Sequence, residues 1–202
     1  MATGIIPCDT LDLVVGTYNI CLGQKDQTTG DVLAYYDLGS TTGGVTISQN
    51  NTFVEVENDQ TCHLQAKYKQ NERWQIATTL QSVTGDKLRM IFATKNQTDA
   101  NGTITIGGQE TCSFPEEWAL VICGPGPGCG CRIFEFPRVM VMSDTIDYTI
   151  TKESPVQLTL DFEALAGCPD GHLLYIHEQC DTLQDGSAFE CTTDPIPNYI
   201  ET

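Results

Sequence analysis

Apolar residues recur at every second position over most of this chain. Val45 and Ile47 share one strand face, and Val54 and Val56 share another, with Glu55 and Glu57 between and after them. Leu64, Ala66 and Tyr68 alternate with His63, Gln65, Lys67 and Lys69, and Trp74, Ile76, Thr78 and Leu80 with Arg73, Gln75, Ala77, Thr79 and Gln81. Ile146, Tyr148 and Ile150 alternate with Asp147 and Thr149. The clearest run sets Val156, Leu158, Leu160 and Phe162 against Gln157, Thr159 and Asp161. Period two places such residues on opposite faces of half-buried strands, so the chain is predicted to be mainly β. Tyr18, Ile20 and Leu22 open the series at strand spacing. RIFEFPRVMVM (Arg132–Met142) reads as a further strand.

The punctuation between these runs predicts turns. DLGSTTGG (Asp37–Gly44) is a Gly-rich turn, and Asn50-Asn51 and Asn58-Asp59 break the following segment into two short strands. Gly23–Ala34 is polar and reads as a loop, and Met1–Leu11 as an arm. NQTDANG (Asn96–Gly102) favours a tight reversal, and Thr103–Ile106 follows as a short strand. Ser154-Pro155 marks another turn. One segment switches period: Leu88, Ile91 and Phe92 fall at i, i+3, i+4, with Thr84 as N-cap and Asp86 in the first turn. This predicts one short flanking helix at about 84–93, whose apolar face packs on the outer face of the sheet. After Gly167 the composition becomes acidic, with Pro169, Pro195, Pro197 and three cysteines. The reading is a β domain over 1–167 and a C-terminal extension over 168–202 pinned to the body, with Leu173–His177 adding one strand.

Candidate chemistry adds little. Gly124, Gly126, Gly128 and Gly130 hint at a phosphate loop, but prolines interrupt them and no Gly-Lys-Ser/Thr follows; a hairpin fits better. Glu116-Glu117 and Asp144/Asp147 are carboxylate pairs without partners, and surface faces explain them. No nucleophile–His–carboxylate grouping stands out among three histidines, and no EF-hand loop occurs. His172 and His177 match neither a helix face nor a strand face, and His63 beside Cys62 points the other way along a strand. Each reads as a structural histidine. The sequons at Asn50, Asn96 and Asn101 are motif matches only. The expectation is no enzyme, no cofactor and no metal.

Size, charge and cysteines sharpen the picture. The 202 residues suit one domain, or one domain with a tail. No apolar run approaches the ~20 residues that span a membrane. The segment MATGIIPCDT lacks the pattern of a secretion signal, so an unsecreted protein made in the cytoplasm is expected. Net charge is −17, with 10 Lys+Arg against 27 Asp+Glu. That balance leaves no basic stripe for nucleic acid, because Lys and Arg contacts to phosphate supply most non-specific affinity. Solubility alone is one explanation of the charge. The ten cysteines are Cys8, Cys21, Cys62, Cys112, Cys123, Cys129, Cys131, Cys168, Cys180 and Cys191. Their even number permits complete pairing into disulfides; buried thiols acting as small hydrophobes are the alternative. The densest cluster, Cys123-GPGPG-Cys129-Gly-Cys131, lacks the spacing of a zinc site.

The order of these motifs resembles one family. An LGxTxGGV turn entering a strand, a Val/Glu-alternating strand ending in "DQ", a strand, one helix and the closing strands are similar to the major tail tube proteins of long-tailed bacteriophages. The resemblance covers roughly Leu11–Gly167. It implies a β-sandwich or barrel of the tail tube type whose function is to polymerise. Subunits would form hexameric rings, stacked into a tube through which phage DNA passes without specific binding. Implied partners are further copies of the chain, a tape measure, a tail terminator and baseplate or tail-tip proteins, with no membrane and residence in the virion after assembly in the host cytoplasm. Acidic walls would repel the DNA, and Glu55, Glu57, Asp147 and Asp161 are the lumen-lining candidates. The segment after the LGxTxGGV turn would reach the adjacent ring, making Asn50, Asn51, Asn58, Asp59 and Gln60 the ring-stacking candidates. Oxidation of the cysteines after lysis would staple the finished tube. A disulfide-stabilised β-sandwich binding module, of carbohydrate-binding or adhesin type, is the second reading. Rings or tubes separate it from the first.

Overall fold

A computed structural model describes residues 18–26, 29–39, 41–58, 63–81, 83–91, 97–98, 104–105, 117–126, 131–142, 148–149, 157–167, 171–178 and 191–192. In chain order the strands are β1 (Asn19–Lys25), β2 (Val32–Asp37), β3 (Thr41–Asn58) and β4 (His63–Gln81). The helix α1 (Gly85–Ile91) follows, then β5 (Gln97–Thr98), β6 (Ile104–Thr105), β7 (Trp118–Pro125), β8 (Cys131–Val141), β9 (Tyr148–Thr149), β10 (Gln157–Ala164), β11 (Tyr175–His177) and β12 (Cys191–Thr192). The fold is mainly β, as the alternation predicts. Ten strands form one sheet in the order β12-β2-β1-β7-β8-β10-β4-β3, with β11 on β8 and β9 on β10; β5 and β6 form a separate hairpin. The β12–β2 pair is parallel.

That sheet cannot be flat. Ile20 and Leu22 of β1 share one buried cluster with Ile76 and Leu80 of β4, together with Leu120, Phe136, Leu160 and Phe162. Four strand spacings separate β1 from β4, roughly 19 Å in a flat sheet and far beyond side-chain contact. The sheet therefore folds over on itself around one core.

The fold-over centres on β8. Three residues of β7 (Trp118 to Leu120) oppose four of β8 (Val139 to Phe136), so β8 bulges around Pro137. Proline has no N–H to give a ladder, and a bulge is where a strand accommodates it. Before the bulge, Ile133–Glu135 pair with β11; after it, Val139–Val141 pair with β10. Polar contacts hold the corner. Lys25 Nζ donates to the Pro137 carbonyl at 3.1 Å, and Arg138 Nη1 donates to the Ala166 carbonyl at 2.9 Å. The Arg138 guanidinium also grips both carboxylate oxygens of Glu117, which holds that carboxyl below its ordinary range. Gly167 has no room for a side chain, since a Cβ there would come within 2.8 Å of Pro137 Cγ.

Three expectations need correcting. The segment read as a loop, Gly23–Ala34, is shorter as a loop: Gly23–Lys25 end β1 and Val32 starts β2. Gly23 belongs in a strand because the Tyr35 ring opposite covers it, so close that a Cβ at Gly23 would meet it at 2.8 Å. The break at Asn50-Asn51 is absent, and β3 runs through it as one strand of 18 residues. Asn51 is followed by Thr52, not by the glycine that a two-residue turn of this kind favours. Likewise β4 is one strand of 19 residues, not two.

Other expectations hold. α1 begins where the cap predicts, with the Leu88 amide donating to the Thr84 carbonyl at 3.0 Å. Its packing differs from the expected outer face: Ile91 is part of the buried core cluster and Leu88 packs against it; Phe92 lies outside the described residues. The GPGPG segment leads from β7 into β8, its antiparallel partner, as a hairpin requires. In DLGSTTGG, the Asp37 carboxylate accepts the Gly39 amide at 2.9 Å. Gly43 and Gly44 adopt φ of 78° and 81° where the register slips between Thr41 and Val45. No neighbour crowds either position, so the positive φ alone is what calls for glycine there.

Candidate assembly surface

Strands β10, β4 and β3 form a wing with two unlike faces. Leu158, Leu160 and Phe162 of β10, with Ile76, Thr78 and Leu80 of β4, turn into the core. Val45 and Ile47 of β3 pack against the same core. The alternate residues face away: Thr159, Asp161 and Glu163, then Gln75, Ala77 and Thr79, then Thr46, Ser48 and Asn50. This outward face is polar, and its side chains hold one another. Asn50 donates to Gln75 at 2.8 Å, the Thr79 and Thr159 hydroxyls lie 3.4 Å apart, and Arg73 reaches Glu163 at 3.5 Å.

The wing ends in an open edge. Among the described strands β3 pairs with β4 alone. One side of an 18-residue strand thus presents backbone donors and acceptors without a strand beside it.

The same hairpin projects as an arm. From Gln49 to Glu55 on β3 and from Lys67 to Asn71 on β4, every residue is exposed, so neither face is covered. The pairing continues to Asn58 opposite His63, carrying the arm roughly 23 Å past Asn51. Apolar groups sit on both faces: Val54 lies opposite Tyr68, which is 63% exposed, and Phe53 is 46% exposed. Lys67 spans the second face, 2.7 Å from Glu55 and 5.2 Å from the Phe53 ring.

Glu72 organises the base of this arm. Its carboxylate accepts from Gln49 Nε2 at 2.6 Å, from Trp74 Nε1 at 2.8 Å and from Lys69 Nζ. The Lys69 bond, then those from Trp74 and Gln49, pull its pKa from 4.5 down to about 2. A depressed carboxylate pKa stabilises the folded arm above pH ~4.5, and the contribution is lost as pH falls through about 2. The Trp74 indole N–H resonance should therefore hold steady down to pH ~4 and move only on approaching pH ~2. A midpoint at the ordinary glutamate value would contradict the network.

The lumen candidates do not form one cluster. Asp161 is exposed on the outward face of the wing, and Glu55 is exposed on the arm but bound to Lys67. Glu57 falls within β3, and Asp147 lies outside the described residues. Of the stacking candidates, Asn50, Asn51 and Asn58 belong to β3, and Asp59 and Gln60 lie outside the described residues. Sequence reading missed Glu72. Glu72 and Trp74 sit two apart on one strand face, a visible signal, but Gln49 and Lys69 join them only through the pairing and a bulge.

Cys21 and Cys131 are disulfide-bonded, and Cys123 carries a thiol whose pKa burial pushes up. Cys191 lies in β12; Cys8, Cys62, Cys112, Cys129, Cys168 and Cys180 are outside the described residues. Two histidines have structural settings: His177 Nε2 lies 2.8 Å from the buried Glu135 carboxylate, and the His172 ring meets Tyr175 edge-on at 5.6 Å. Among the described residues no group of His, Cys, Asp and Glu converges as metal ligands would.

No protein-family model matches the chain, and no curated protein matches it. Solved structures do. A chain of the anti-feeding prophage baseplate is 7% identical with a TM-score of 0.49, over 83% of this chain and 97% of that one. A chain in the tail of an empty gene transfer agent particle is 14% identical with a TM-score of 0.42, over 78% of this chain and 95% of that one. A chain of the native gene transfer agent virion gives 14% and 0.41 over the same shares. Each of these is a distant likeness of backbone at low identity.

Proposed function

We propose that this chain is a structural subunit of a phage-type tail tube. The observation that carries the reading is the wing: an open 18-residue edge on β3 beside an outward face built of polar side chains. An edge of that length is a liability in a monomer and a joint in a polymer. Pairing each β3 with the neighbouring subunit would continue the wing around a ring and close it as a barrel without free edges. A ring contact that closes and a stacking contact that does not would together give a tube. The number of subunits per ring is proposed as six, following the resemblance in motif order.

In such a ring the outward face of the wing lines the lumen. Thr, Ser, Asn and Gln side chains with Asp161 would let DNA slide, because the cation described on that face, Arg73, is engaged by Glu163. The overall charge of −17 keeps the surroundings repulsive at the short range that salt allows, about 8 Å. Replacing Asp161 and Thr159 by Lys should leave tubes intact and slow DNA ejection, most visibly at low salt. Unchanged ejection from intact Lys-substituted tubes would place this face elsewhere. The disulfides at Cys21 and Cys131 would staple each subunit, with the remaining pairing completed once the particle leaves the reducing cytoplasm.

Negative-stain electron microscopy of the concentrated, purified protein tests the reading. Annuli or tubes are expected. Stable monomers at high concentration that bind glycans would favour the disulfide-held binding module instead.

A further inference from the structure

The described side chains of the β3–β4 arm from Gln49 to Glu55 and from Lys67 to Asn71 are all exposed, yet the arm leaves the wing in a defined direction. The register shows where that direction is set. Thr52 pairs with Asn71 and the next residue, Phe53, with Lys69, so Gln70 is an extra residue bulging out of β4. A bulge bends its strand and adds twist. Unbraced, it would be a pivot, since every β3 residue from Gln49 to Glu55 is exposed and no packing resists rotation there.

One side chain spans that pivot. Glu72 lies on the body side of the bulge and binds Lys69 on the arm side. It also binds Gln49 across the ladder at 2.6 Å and Trp74 toward the core at 2.8 Å. Trp74 in turn packs against the buried cluster. The chain of contacts therefore runs from the core through Trp74 to Glu72, then over the bulge to Lys69. The β3 partner is tied to the same carboxylate. Charge-assisted bonds of this kind are the strong ones, and three on one carboxylate fix its position as well as theirs.

We propose that Glu72 is a latch that holds the arm at a fixed angle to the wing. The body presents a pre-set arm, and a partner surface need not bear the entropy of ordering it. The latch acts whatever surface the arm docks on, so it stands or falls separately from the tube reading.

Amide hydrogen exchange on the unassembled full chain tests this, comparing wild type with Glu72→Gln and Trp74→Phe. Glu72→Gln keeps the size and removes the charge; Trp74→Phe keeps a ring on the core and removes one donor. The latch predicts that arm amides from Asn51 to Val54 and from Tyr68 to Asn71 exchange about ten-fold faster in Glu72→Gln. A smaller increase is expected in Trp74→Phe. Amides of Ile76–Leu80 and Leu158–Phe162 should keep their wild-type protection in both. An arm already unprotected in wild type would overturn the latch. So would unchanged arm exchange in Glu72→Gln, or loosening spread evenly through the core strands.

Discussion

Joining Asn50 directly to Arg73 through an Asn-Gly turn should leave a folded, soluble subunit that no longer assembles. The two residues already face each other in the ladder, and Asn-Gly is the sequence that closes such a hairpin in two residues. None of the described residues between them belongs to the buried core cluster, so little stability should go with them. A melting temperature within a few degrees of wild type is expected, since a few tenths of a kcal/mol moves it little. What goes is the arm, with Val54, Tyr68, Phe53 and the Glu55–Lys67 pair. Sedimentation should then show small species under conditions where the intact chain forms rings or tubes. Normal tubes from the shortened chain would show that the arm has no part in assembly.

Phe162→Ala should cost about 3–5 kcal/mol of folding stability, while Asp161→Ala beside it should stay within roughly 0.5 kcal/mol of wild type. The contrast follows from alternation on one central strand. Phe162 is 1% exposed, paired with Ile76 on one side and Val141 on the other. Its ring fills the space between the folded-over halves of the sheet, so truncation leaves a cavity that β8 and β4 cannot both close. Asp161 points outward from the wing. Urea denaturation of the two variants reads the difference. Equal losses would mean that the strand is not half-buried as described.

Much of this architecture is legible in the residues. The alternation of Leu158, Leu160 and Phe162, and of Ile76, Thr78 and Leu80, gives both the strand and its buried face, because a sheet with one face in the core writes that face at every second position. α1 is legible for the same reason at a different period, with Thr84 ahead of it. The base of the arm is where the pattern fails. From Gln49 to Phe53 every residue is exposed, so no apolar alternation carries the strand across Asn50-Asn51. Asn50-Asn51 then reads as a break, although its ladder partner Arg73–Glu72 carries it through. The bulges at Pro137 and Gln70 are hidden too. Each depends on a mismatch between two strands distant in sequence, and neither strand records it alone. Glu72 becomes a hub only once those strands are paired, and Asp161 joins a polar wall only once β4 and β3 lie beside β10.

Joining of subunits through the open edge of β3, with the polar face of the wing turned inward, is tested by a reconstruction of the assembled particle. A strand of the neighbouring subunit should lie about 4.8 Å from β3, with Asp161 and Thr159 facing the central axis. A particle in which β3 runs along the outer surface with no strand beside it, or in which Asp161 points away from the axis, would contradict it.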